Sequence, residues 1–166
     1  METDEKAQKQ NVGNAGEYYI ASRLSALDFT ATLTLGRAEK YDILALGPKG
    51  KLVKISVKTT QLDYPRDFPL SEKDESGYSD DFYYAFVKLN KFEKEPDFWI
   101  IPSTVVSPML KNSYELWLKT PGKNNRERKG SSIRSFPIKV LQSQTHFPLS
   151  WNDELVKYYK NLKQLI

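Results

Sequence analysis

The sequence predicts an α/β fold in which helices flank a central mixed β-sheet, and three observations carry that prediction. Apolar residues recur at helical spacing near both ends of the chain: Ile20, Leu24 and Leu27 in one stretch, Leu155, Tyr158 or Tyr159, Leu162 and Leu165 in the other. Between them lie short stretches that alternate, or run apolar, over the length of a strand. Two of these are aromatic and β-branched with little polar content, the composition of strands covered on both faces. Helices outside and apolar strands between them form a layered arrangement.

Residues 1–12 are polar and lack an apolar period, so they are expected to be a disordered lead-in. Residues 13–166 are expected to form a single domain, since no linker, repeat or low-complexity tract divides them. Gly13-Asn14-Ala15-Gly16 offers a helix start. Glu17 follows on the same stripe as Ile20, Ala21, Leu24 and Leu27, at its N-terminal end. Two readings of Glu17 stand side by side: a first-turn cap of its own helix, or a carboxylate turned toward the protein body, which then needs a partner.

Residues 30–35, TATLTL, alternate as a strand does. Residues 41–46 and 52–58 form a hairpin around Gly47-Pro48-Lys49-Gly50. A register that pairs Asp42 with Ser56, Leu44 with Lys54 and Leu46 with Leu52 matches the apolar faces. It also gathers Asp42, Ser56 and Lys58 at the open end of the hairpin, and a slip of one residue would part Asp42 from the other two. Residues 61–81 are acidic and rich in turn formers, and are expected to be irregular apart from a helical turn near 71–75. Residues 82–89 and 97–102 are the two apolar strands. Ser103 is expected to cap a helix over 104–118 whose first turn Pro108 disturbs. Residues 133–141 read as a strand with an edge or bulge at Pro137, and 151–166 as a closing helix. Trp99, Trp117 and Trp151 are expected to be core or packing residues and not base-stacking platforms, and His146 to be structural or superficial.

With no cysteine and one histidine, disulfides, thiolate catalysis and zinc sites built on Cys or paired His are excluded. Any metal would be a hard cation held by carboxylates. No apolar run is long enough for a membrane span, and the polar N-terminus is not a secretory signal, so a cytoplasmic protein is the expectation. The net charge is +4, unevenly spread: residues 63–81 carry seven acids against two basic residues, whereas 119–139 carry seven basic residues against Glu127 alone. A basic stretch of that kind can follow a phosphate backbone. Lys119, Lys123, Arg126, Arg128, Lys129 and Arg134 are the candidate contacts, and a solvated lysine-rich loop accounts equally for the charge alone.

GNAGEYYIASRL, YDILA and ISVKTT together resemble the PD-(D/E)XK nuclease superfamily, whose signature is an acid opening one strand and (D/E)-x-K on the next. VKTT, the FYYAFVKL and PDFWIIPSTVV segments and WLKTPGK further resemble a bacterial endonuclease-like branch. The resemblance covers roughly residues 13–136. It implies a restriction-endonuclease-like fold and Mg²⁺-dependent (or Mn²⁺-dependent) hydrolysis of phosphodiester bonds in DNA. It further implies Asp42 and Glu17 as metal ligands, Lys58 as the catalytic lysine, and Ser56 at the position of the family's acid or glutamine. Resolvase-like relatives act as dimers, which makes a homodimer an expectation. Ser56 departs from the pattern and removes one carboxylate, for which Asp63 is a nearby substitute in sequence. The alternative is an inactive nuclease-fold module that binds nucleic acid or a protein partner. Without the resemblance, Asp42 and Lys58 read as an ordinary surface pair.

Overall fold

The structure, a computed structural model, describes residues 2–34, 41–61 and 67–166. Among these residues the helices are α1 (Glu2–Ser25), α2 (Ser103–Lys119) and α3 (Trp151–Leu155). The strands are β1 (Thr30–Leu33), β2 (Ile43–Leu46), β3 (Leu52–Thr60), β4 (Asp67–Ser71), β5 (Phe82–Lys88), β6 (Asp97–Pro102) and β7 (Ile133–Pro137). They belong to two compact units. The first comprises Met1–Pro65, Asp81–Ile101 and Tyr158–Ile166, and the second Arg66–Asp80 and Pro102–Lys157. The chain passes from one to the other between consecutive residues, so no linker composition marks the division.

The first unit is built on a five-stranded sheet in the order β1-β2-β3-β5-β6. β1, β2 and β3 are antiparallel and β3 runs parallel to β5. This is the central mixed sheet that the sequence predicts. The hairpin register pairs Leu44 with Lys54 and Leu46 with Leu52, so the faces match as expected. Gly50 closes the turn with φ +78°, a left-handed conformation that glycine adopts without strain.

Ile43, Ala45, Val53, Ile55, Val57, Tyr83, Ala85 and Val87 form one apolar sheet face, in a common core with Ile20 and Leu24 of α1 and Leu162 and Leu165. Phe82, Tyr84 and Phe86 stand on the other face of β5 and are buried as well, with Tyr84 and Phe86 nearly parallel at 6.0 Å. β5 is thus covered on both sides, as its composition demands.

Three sequence expectations change in this unit. α1 starts at Glu2, well before Gly13, so Glu17 lies in the helix interior and neither caps it nor feels its N-terminal dipole. The strand expected over 30–35 is observed over Thr30–Leu33, and Leu35 lies outside the described residues. The closing helix stops at Leu155: Tyr159 instead bridges to Trp99, and Lys160 donates its backbone N–H to the Phe98 carbonyl. The chain there satisfies backbone groups of β6, and Lys160 takes φ +49° to do so.

In the second unit β4 and β7 pair antiparallel, with α2 packed against β7 and against the 3-10 turn Glu72–Glu75. The segment expected to be irregular therefore contains a strand. Phe68 and Leu70 point inward between exposed or half-buried neighbours, and β7, the partner that makes this a strand, lies far along the chain. Ser103 is the first residue of α2 and not its cap. Its hydroxyl accepts the Ser79 N–H and donates to the Ser79 carbonyl, at 3.1 and 3.0 Å. α2 runs on through Pro108. No helix among the described residues is long and apolar enough to cross a membrane.

Candidate active site

Asp42 stands just outside β2, at the open end of the hairpin, and its position is set by backbone on both sides. Its N–H donates to the Ile55 carbonyl at 2.9 Å, and its own carbonyl accepts the Thr34 N–H at 3.0 Å. The Thr34 bond continues the β1–β2 ladder past the end of β2, and the Ile55 carbonyl, on the residue that faces Ile43, holds Asp42 beside β3. The carboxylate then takes the place of a strand carbonyl. Its Oδ2 accepts the Val57 N–H at 2.6 Å and the Ser56 hydroxyl at 3.3 Å. A carboxylate has about four lone-pair sites, and both of these bonds fall on one oxygen.

Ser56 is buried and Lys58 half-buried on the same face of β3. Glu17 comes from α1, which lies close on β3: a Cβ placed on Gly16 would overlap the Thr59 side chain. Gly16, in the stretch read as a helix start, is therefore a point of close approach between α1 and β3. Burial raises the pKa of Glu17 above its ordinary value. The charge of Asp42 raises it further and that of Lys58 lowers it. Glu17, Asp42 and Lys58 thus share one electrostatic neighbourhood, and Ser56 joins it through Asp42.

Two carboxylates whose repulsion is felt at Glu17, with a lysine beside them, form a donor set suited to a hard divalent cation that keeps most of its water. Ser56 supplies a hydroxyl where a third carboxylate would strengthen that set. Among the described residues no group of three or more His, Asp or Glu side chains is arranged to hold a metal. Asp63 lies outside the described residues.

The six basic candidates all fall in the second unit and separate into different environments. Lys119, Lys123, Arg126 and Lys129 are exposed. Arg128 is half-buried: its Nε donates to the Thr120 carbonyl at 2.8 Å and its guanidinium lies 4.5 Å over the Trp117 ring. Arg134 is buried. It pairs with Glu75, donates to the Ser131 and Ile133 carbonyls, and covers the Tyr114 ring at 3.4 Å. It is a structural cation inside β7 and leaves the set available to a phosphate.

Of the tryptophans, Trp151 is buried against Phe136 and donates to the Pro137 carbonyl. Trp99 packs on Tyr159. Trp117 lies outside the core. It is half-exposed, stacks on Tyr114 at 5.7 Å and lines a cavity together with His146.

No protein-family model matches the chain. No curated protein matches it either. Among solved structures it is similar to a bacterial homing endonuclease, I-Ssp6803I, with 12% identity and a TM-score of 0.45 over 89% of this chain and 91% of that one.

Proposed function

We propose that the chain is a divalent-cation-dependent phosphodiesterase acting on DNA, with Glu17, Asp42, Ser56 and Lys58 as its site. One observation carries this reading. Asp42 is fixed by the backbone of β3 and acts electrostatically on Glu17 together with Lys58, three side chains drawn from α1, from the residue before β2 and from β3. A structural acid–lysine pair would need neither the second carboxylate nor the backbone clamp.

The chemistry follows from the side chains. Glu17 and Asp42 would hold Mg²⁺ or Mn²⁺, which when bound neutralises phosphate charge and lowers the pKa of a coordinated water. The Val57 N–H and the Ser56 hydroxyl keep Asp42 from rotating away. The repulsion between Asp42 and Glu17 is what a cation would relieve. Lys58 offers three donors and no acceptor, so its part is to hold a phosphate oxygen as negative charge accumulates there. The exposed Lys119, Lys123, Arg126 and Lys129 supply sequence-independent attraction to the phosphate backbone.

A second reading, a nuclease-fold module that binds nucleic acid without cutting it, is favoured by the serine at position 56 alone. Cleavage assays separate the two. Single-stranded, duplex and branched DNA, and RNA, are incubated with the protein in Mg²⁺ and in Mn²⁺, beside Asp42→Asn and Lys58→Ala. The catalytic reading expects cleavage by the wild type and its loss in both variants. Equal cleavage by all three proteins, or binding with no cleavage in either metal, contradicts it.

A further inference from the structure

The second unit contains a cavity of about 330 Å³ that the phosphodiesterase reading does not use. Its walls come from three parts of that unit, one of them the β7 segment, whose Arg134 covers the Tyr114 ring. α2 contributes Leu110, Tyr114 and Trp117, and the segment before α3 contributes His146 and Phe147. The aromatic rings are arranged in pairs: Tyr114 stacks on Trp117 with 15° between their planes, and His146 and Phe147 lie 4.7 Å apart. The volume is at the small end of the range for small-molecule sites, about 300–1,000 Å³. It is large enough for one flat ring system.

What surrounds this cavity is cationic. The basic loop begins at the end of α2, just past Trp117, and returns to the cavity at Ser131, so both of its ends are tied to the lining. The Tyr114 hydroxyl anchors that return by donating to the Ser131 carbonyl and accepting the Ser131 N–H. Arg128 sits on the Trp117 ring itself. Lys123, Arg126 and Lys129 are exposed along the same loop. His146 is held toward its neutral form by burial and by Arg128, against the pull of Asp67. A neutral imidazole offers one donor and one acceptor, as the edge of a base requires.

Aromatic walls beside a cationic loop form the combination that binds single-stranded nucleic acid: rings stack on bases, and cations track the backbone. A purely apolar peptide would leave the loop's charge unmatched. The bases of a duplex are stacked inward and cannot enter such a cavity without being extruded. We propose that this cavity seats one base of a single-stranded nucleic acid whose phosphates run along residues 119–130. The proposal rests on the nucleic-acid half of the reading above and does not depend on the metal site.

The test is fluorescence anisotropy of the full chain in EDTA, where no cleavage occurs. The probes are fluorescein-labelled oligothymidine, oligouridine and an abasic strand of equal length. The wild type is expected to bind at least one of the base-bearing strands about tenfold tighter than the abasic strand. Trp117→Leu is expected to erase that difference while keeping abasic binding, with a circular dichroism spectrum matching that of the wild type as the check that the variant is folded. Trp117→Phe, which keeps a ring, should retain most of the preference. Equal binding of abasic and base-bearing strands by the wild type, or an unchanged preference in Trp117→Leu, overturns the proposal. Filling of the cavity by an apolar naphthalene dye that no oligonucleotide displaces also overturns it and puts an apolar partner there. The cleavage assays report separately on Asp42, so a failed metal site and a failed base pocket give different results.

Discussion

Asp42 and Arg134 are both charged side chains gripped by backbone, one in each unit, and the grip leaves them in opposite conditions. Asp42 stands beyond the end of β2, and its bonds to Val57 and Ser56 fall on a single carboxylate oxygen beside Glu17 and Lys58. Arg134 lies within β7 opposite Leu70, buried, with a carboxylate, two carbonyls and an aromatic ring around its guanidinium. The bonds to Asp42 leave its other carboxylate oxygen out of the grip, whereas the Arg134 guanidinium is enclosed by the fold. The difference comes from position along a strand and not from residue type.

The largest effect that would sharpen this contrast is on stability. Arg134→Ala leaves Glu75 and two carbonyls without their cation. It should destabilise the protein by about 3–5 kcal/mol, whereas Arg126→Ala, exposed in the adjoining loop, should stay within about 0.5 kcal/mol. Urea denaturation of both variants measures it, and equal midpoints would break the distinction between a structural and an available cation. Arg126→Ala should instead lower the salt dependence of DNA binding by about one unit of slope.

A smaller effect is expected where α1 meets β3. Gly16→Ala drives a methyl group into Thr59 and should cost about 1–3 kcal/mol. Thr59→Ala in the same background should recover part of that loss, since most of the overlapping atoms are then gone. Thermal melts of the single and double variants decide it. No recovery would mean that the helix does not rest on Thr59.

The smallest concerns pH. The pKa of Glu17 is raised by burial and by Asp42, so the folded state binds its proton more tightly than the unfolded state does. Folding stability therefore falls as pH rises from the ordinary glutamate value of 4.5 through the folded one. Glu17→Gln should be indistinguishable from the wild type in acid and more stable at neutral pH, in metal-free buffer. A stability profile with the opposite slope would remove Glu17 from the neighbourhood of Asp42.

Much of the first unit was legible in the sequence because its information is local. Alternation and turn chemistry set the hairpin, and matching of apolar faces set the pairing of Leu44 with Lys54 and Leu46 with Leu52 that the structure has. What escaped is non-local. β4 becomes a strand only through β7, and α3 ends early because residues 159 and 160 complete β6. Gly16 faces Thr59 only once helix and sheet are assembled. Charge counting placed Arg134 with the loop cations because composition does not reveal which face of a strand is turned inward. The same limit hid Trp117, whose large ring suggested interior packing although the fold leaves it at the wall of a cavity.

The central claim is that Glu17 and Asp42 form a divalent-cation site weakened by the serine at position 56. Calorimetric titration of Mn²⁺ into the wild type, Asp42→Asn and Ser56→Glu tests it most directly. The account predicts weak binding by the wild type and none by Asp42→Asn. Ser56→Glu should bind more tightly, the added carboxylate destabilising the metal-free protein beside Asp42 until the cation neutralises it. Mn²⁺ affinity unchanged across all three proteins would contradict the account.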